Sequence, residues 1–170
     1  MEKKLNKKGV SGIITTVLLI ALAFVVVAIV WTIVDNIINK GIGDSNACFG
    51  IFDKVSLDSD WTCYNYSSEE FLFKIDIGDL DVDEVLVGVT SEGTSKSFKI
   101  LKEESQISGL LMYPNRETII KLPDKDAGLT YILNMAQMGL DGAPTGIQIS
   151  PIIKGTSCEV SSTIDYIETC

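Results

Sequence analysis

Val10–Val34 reads VSGIITTVLLIALAFVVVAIVWTIV and contains no charged residue. As a helix rising about 1.5 Å per residue it reaches roughly 37 Å, enough to cross a hydrocarbon core of about 30 Å with some tilt. Its many Val and Ile residues disfavour a helix in water. In lipid, however, every backbone N–H and C=O must be satisfied within the segment, and a single span achieves that only as a helix. A soluble core able to wrap a helix that is apolar on all sides needs more protein than this chain of 170 residues provides.

The flanks set the orientation. Before the apolar run comes MEKKLNKKG, with Lys3, Lys4, Lys7 and Lys8 against Glu2; after it come Asp35, Asn36, Asn39 and Lys40. Cationic flanks stay on the cytoplasmic side, so the N-terminus is expected inside and everything beyond the helix outside. A secretory signal has a shorter apolar core and a small-x-small cleavage site, whereas this run ends in Trp31, Thr32, Ile33 and Val34. Conventional signal peptidase has no site there.

Another cleavage site precedes the run, at Lys7-Lys8-Gly9 followed by Val10. Here the sequence resembles the class III signal of archaeal type IV pilins and archaellins, in which a short basic leader ends in a basic pair and Gly. The resemblance implies that a prepilin peptidase cuts after Gly9, removing residues 1–9 and leaving Val10 as the new N-terminus. Gly12, third in that mature chain, matches a Gly found there in many archaellins; Ile14, fifth, departs from the Glu of most bacterial pilins. Residues 5–40 carry the resemblance. It implies a filament-core helix over 10–40 and an archaellin-like β-sandwich head. The bland alternative is a set of lysines beside an uncleaved signal anchor.

The leader holds four lysines and one glutamate, so its removal takes the net charge from −9 to −12. Such an acidic balance argues against nucleic-acid or anionic-lipid binding and for a self-repelling surface outside the cell. All four cysteines, Cys48, Cys63, Cys158 and Cys170, lie beyond the helix. An even count in an exported domain points to two disulfides with three possible pairings. The favoured expectation is local pairing, Cys48 with Cys63 and Cys158 with Cys170. The chain has no His and no Cys-x-x-Cys spacing, which argues against zinc.

The helix is expected to stop at Gly41 and Gly43, with 41–47 a hinge and 48–170 one globular domain. Within that domain the apolar period becomes two: Phe71, Phe73, Ile75, Ile77; then Val85, Val87, Val89; then Phe98 and Ile100. Further strands are expected over 118–122, 130–134, 147–153 and 160–167, with Pro151 at an edge or bulge. Residues 127–140 read as a strand with a loop, or a short helix. Turns fall at 79–83, Glu92-Gly93, Pro114-Asn115, Pro123-Asp124, Asp141-Gly142 and Lys154-Gly155. The fold expected is α+β: a long apolar helix, then an antiparallel, immunoglobulin-like β-sandwich.

Candidate chemistry is sparse. Asp79, Asp81 and Asp83 have the one-three-five spacing of a calcium loop, but Glu84 and Thr90 stand where an EF-hand needs Gly and Glu, so a solvated acidic turn is the simpler account. Asn65-Tyr66-Ser67 is an N-glycosylation sequon. Trp61, Tyr64 and Tyr66 suggest either a sugar- or surface-binding patch or, more commonly, core packing beside a disulfide. Without His no Ser-His-Asp or Cys-His device is possible, and no phosphate loop or dinucleotide fingerprint occurs. No catalysis and no cofactor are expected.

The function expected is structural: a subunit that waits in the membrane, then packs its helix against copies of itself in an extracellular filament. Small residues Ser11, Gly12, Thr15, Thr16, Ala21, Ala23 and Ala28 offer close helix approach, with Phe24 and Trp31 among the contact positions. The partners implied are self, prepilin peptidase and the pilus assembly machinery. The alternatives are a signal-anchored surface binding module, and a minor pilin or pseudopilin of a secretion or uptake machine.

Overall fold

The computed structural model describes residues 7–51 and 53–170, including the side chains of 14–35 in the first helix. It divides into two units, Met1–Asp44 and Ser45–Cys170. The leader residues 1–6 lie outside the described residues, as do the side chains of Lys7, Lys8, Val10, Ser11 and Lys40.

Helix α1 spans Lys7–Ala47. Within it, Ile14–Asp35 is long and apolar enough to cross a membrane. Every side chain over 14–35 is exposed. The hinge expected at 41–47 is instead helical. Glycine in a helix interior costs only about 1 kcal/mol relative to Ala and does not by itself end the helix. The backbone turns just beyond, where Gly50 takes φ +80° and Cys48 is held in a disulfide.

The second unit is built from strands β1 (Val55–Asn65), β2 (Glu70–Ile77), β3 (Glu84–Ser91), β4 (Thr94–Leu101), β5 (Leu110–Met112) and β6 (Ala127–Asn134). The short helix α2 (Met135–Met138) follows, then β7 (Pro144–Ile153), β8 (Thr156–Ser157), β9 (Ser162–Ile164) and β10 (Glu168–Thr169). The first sheet has the order β10-β1-β2-β6-β5, antiparallel except for the parallel pair of β1 with β10. The second runs β4-β3-β7-β8, with β9 also on β7. The fold is thus α+β, a long apolar helix followed by a mostly antiparallel β-rich domain.

The alternation in the sequence works as expected in β2 and β3. Phe71, Phe73, Ile75 and Ile77 point inward from one sheet, and Val85, Val87 and Val89 from the other. Both sheets contribute to one hydrophobic core. Phe73 stacks on Tyr131 of β6 with ring centroids 5.3 Å apart and meets Phe98 of β4 at 6.4 Å, so the core is continuous between sheets. The Tyr131 hydroxyl donates to the Lys121 carbonyl at 2.7 Å, which satisfies the one polar atom of that buried ring.

Several expectations change. Strand β1 escapes the alternation because its register slips between Asp58 and Cys63: Val55 and Leu57 are buried, then Thr62 and Tyr64, an odd step apart. A bulge absorbs the difference: from Asp58 to Cys63 β1 advances five residues while β2 advances two, from Lys74 to Leu72, leaving three extra on β1. Residues 118–122 make only an isolated bridge, Ser105 with Ile120, although Ile120 and Leu122 are buried. The segment 160–167 contains only β9, and 127–140 divides into β6 and α2, the latter capped by the Asn134 side chain. Pro151 lies in neither an edge strand nor a bulge. Strand β7 has β3 on one side and β8 and β9 on the other, and Pro151 falls between the residues paired to β9 and those paired to β8. Its missing N–H therefore interrupts no pairing, while its carbonyl accepts the Cys158 N–H at 2.9 Å.

Candidate functional site

The local disulfides expected from the sequence do not form. Cys48 bonds Cys158 and Cys63 bonds Cys170, with Cα atoms 5.5 and 5.1 Å apart. The topology explains the pairing. Strand β10 lies parallel to β1 with Cys63 opposite Glu168, which brings Cys170 alongside, and the Cys170 N–H donates to the Tyr64 carbonyl at 3.1 Å. Cys158 is fastened to β7, in the other sheet. Between Cys158 and Cys170 the chain thus passes from one sheet to the other, which separates those two cysteines. Two disulfides fit an oxidising, extracellular environment.

On α1 the candidate contact residues divide between two flanks. Ala21, Phe24, Ala28 and Trp31 recur at steps of three, four and three residues, so at about 100° per residue they form one stripe, whereas Gly12 and Thr16 fall about a third of a turn away from its centre. Phe24 and Trp31 are 71% and 66% exposed. The Thr32 hydroxyl is internally satisfied, donating to the Ala28 carbonyl at 2.9 Å. Gly9 lies in the first turns of α1; nothing further is described of the Lys7-Lys8-Gly9-Val10 site.

The acidic run at 79–83 crosses from β2 in one sheet to β3 in the other. Its carboxylates go to separate partners: Asp79 to Lys125, Asp81 to Lys102, and Asp83 to the Lys154 N–H. The adjacent ammonium groups hold Asp79 and Asp81 below the ordinary carboxylate range. Three oxygens aimed three ways do not converge on an ion. Among the described residues no cluster of His, Cys, Asp or Glu is arranged to hold a metal.

The three aromatic residues also part company. Tyr64 is buried, and burial raises its phenol above the ordinary range; Tyr66, 65% exposed, stands edge-on to it with centroids 4.9 Å apart. Trp61 does not join the core. It is 49% exposed and meets Tyr113 at 6.3 Å, on the face of the first sheet turned away from the core. Ile132 pairs with both Leu72 and Leu111 and is 3% exposed without belonging to the shared core. This outer face therefore has its own small apolar centre.

Charged groups border it. Lys74 Nζ lies 2.7 Å from Asp58 and 3.2 Å from Asp76, and Arg116 forks onto Glu70. The Lys74 ammonium holds Asp58 below its ordinary value, and Asp58 in turn raises Lys74. Gly128 makes room for this group, because a Cβ there would overlap the Asp76 carboxylate. On the second sheet a polar cleft of about 190 Å³ is lined by Thr90, Gln148, Thr163 and Asp165 around Gly88 and Gly146. The sequence does not signal the Trp61–Tyr113 meeting, since it depends on the β1 bulge and the loop after β5.

Asn65 ends β1. Its side-chain oxygen accepts the N–H groups of Ser67 at 2.9 Å and Ser68 at 3.3 Å, and residues 67–69 are exposed. In comparisons with models of known protein families, with characterised proteins and with solved structures, the chain matches none.

Proposed function

We propose that this chain is a structural subunit of a type IV pilus-like extracellular filament, processed by a prepilin peptidase after Gly9 and assembled through α1. One observation carries the reading. Over 14–35 the helix presents apolar side chains on every flank, all exposed in the single chain. Burying one large apolar side chain is worth about 1.5 to 3 kcal/mol, so such a helix is stable only in lipid or among similar helices. Both environments are available to a subunit that moves from membrane to filament. Small residues on two flanks, Gly12 and Thr16 against Ala21 and Ala28, suit contacts with more than one neighbour.

The head fits the same reading. We take its two sheets, which share one core, as an archaellin-like β-sandwich of immunoglobulin type that clothes the filament. Its acidic surface and two disulfides suit a place outside the cell, with surface attachment as the role. The N-terminus is cytoplasmic before processing. Ile14–Asp35 equally satisfies the requirements of an uncleaved signal anchor, which makes a surface-anchored binding module the second reading.

The test is the N-terminal peptide mass of protein taken from native membranes and from sheared surface filaments. A chain beginning at Val10 is expected. A chain beginning at Met1 in the surface fraction would replace the filament reading with the anchored module.

A further inference from the structure

We propose that Asn65 is a glycosylation site whose side-chain amide Nδ2 carries an N-linked oligosaccharide. The inference rests on the export of the head domain, and beyond that on the geometry of the turn joining β1 to β2.

The sequon Asn65-Tyr66-Ser67 sits where pairing stops. Asn65 and Glu70 are the last partners of the β1–β2 ladder, and residues 66–69 lie beyond it. Tyr66 is 65% exposed, and Ser67, Ser68 and Glu69 are exposed as well. An enzyme that acts on this turn therefore disturbs neither a strand nor the core.

The side chain of Asn65 is also presented in one sense. Its Oδ1 is occupied by the main-chain N–H groups of Ser67 and Ser68, which leaves Nδ2 as the end turned away from the turn's own hydrogen bonds. The strand alternation adds a direction. Tyr64 and Phe71 point into the core, so Asn65, Cys63 and Leu72 belong to the opposite face of the first sheet. A glycan at Asn65 leaves the protein on the face that carries Trp61 and Tyr113.

The chemistry requires a lipid-linked oligosaccharide activated as a phosphate ester. The Nδ2 electron pair forms the bond to the sugar C1 as the bond from C1 to the phosphate oxygen breaks. The amide loses one proton, and the lipid phosphate leaves with the bonding pair.

The experiment uses the full chain from native membrane or surface fractions, alkylated without and with prior reduction, then digested with trypsin. The peptide 55–74 contains both Cys63 and Asn65, so a single mass spectrum reports the redox state of the cysteine and the occupancy of the asparagine. We expect Cys63 protected until reduction and the peptide heavier by an oligosaccharide that fragments to sugar ions. Ser67→Ala should abolish the addition and Ser67→Thr should keep it; both leave intact the main-chain N–H groups that Asn65 accepts. Asn65→Gln should abolish it too. An unmodified peptide with protected Cys63 overturns the glycan while export stands, and an unmodified peptide with free Cys63 overturns both. Sugar that persists in Asn65→Gln would be attached to serine and also refutes the proposal.

Discussion

Cys48 and Cys158, 110 residues apart in sequence, stand with their Cα atoms 5.5 Å apart. The pair spans nearly the whole β-rich unit, and Cys63–Cys170 spans 107 residues over an overlapping range.

Loops of this length give each disulfide about 4 to 5 kcal/mol on the chain-entropy model. Ser in place of both Cys48 and Cys158 is therefore expected to lower the denaturation midpoint of the head markedly, and Cys63→Ser with Cys170→Ser likewise. Chemical denaturation of the detergent-solubilised chain measures this. A midpoint unmoved by either double substitution would contradict the long-range pairing, as would a non-reducing peptide map that joins Cys48 to Cys63.

The ion group of Lys74 with Asp58 and Asp76 makes stability depend on pH in a stated direction. Asp58 is held below its ordinary 3.8 by Lys74, so its contribution is complete above that value and disappears as the pH falls through the folded pKa. Lys74 is raised above its ordinary 10.5, so its contribution is complete below that value and is lost as the pH rises through the folded pKa. Lys74→Met should cost about 1 kcal/mol at neutral pH. Urea unfolding at successive pH values should show the difference from the parent shrinking below about pH 4, as Asp58 loses its charge. A difference that stays constant from pH 7 to pH 3 would assign the cost to packing.

Substitutions in α1 separate insertion from assembly. Val26→Lys places a charge near the middle of the apolar span, at about 3 kcal/mol on insertion scales, and should deplete the protein from membranes. Ala28→Leu keeps the span apolar but fills a small position on the Ala21–Trp31 stripe. It should leave membrane levels unchanged and reduce sheared filaments. Normal filaments from Ala28→Leu would remove that stripe from the assembly contact.

The sequence announces whatever depends on local pattern. The span is plain because no charge interrupts it, and β2 and β3 are plain because an inward residue follows every outward one. The acidic turn at 79–83 is recognisable for the same reason, as a break between two alternating runs. Where the outcome depends on distant partners the pattern is mute. The β1 bulge inverts the phase after Asp58, so the strand's two halves read as unrelated. The cysteine pairing follows from the chain tail passing from β9 in one sheet to β10 in the other, a topological fact that no spacing records. Pro151 misleads because a proline within a strand usually marks an edge, while here the neighbouring strand is interrupted instead. In the candidate site, the sequon and the helix are legible, but the meeting of Trp61 with Tyr113 is not.

The two overlapping disulfides also determine how the head bears a pull. Tension arriving along α1 reaches Cys48 first, and Cys48 is bolted to Cys158 beside β7, so the load passes into the second sheet without peeling β1 away residue by residue. The same crossing makes the head resistant to being severed. A single cut anywhere between Cys48 and Cys170 leaves the two pieces joined by at least one covalent bridge. A nicked head stays on its stalk.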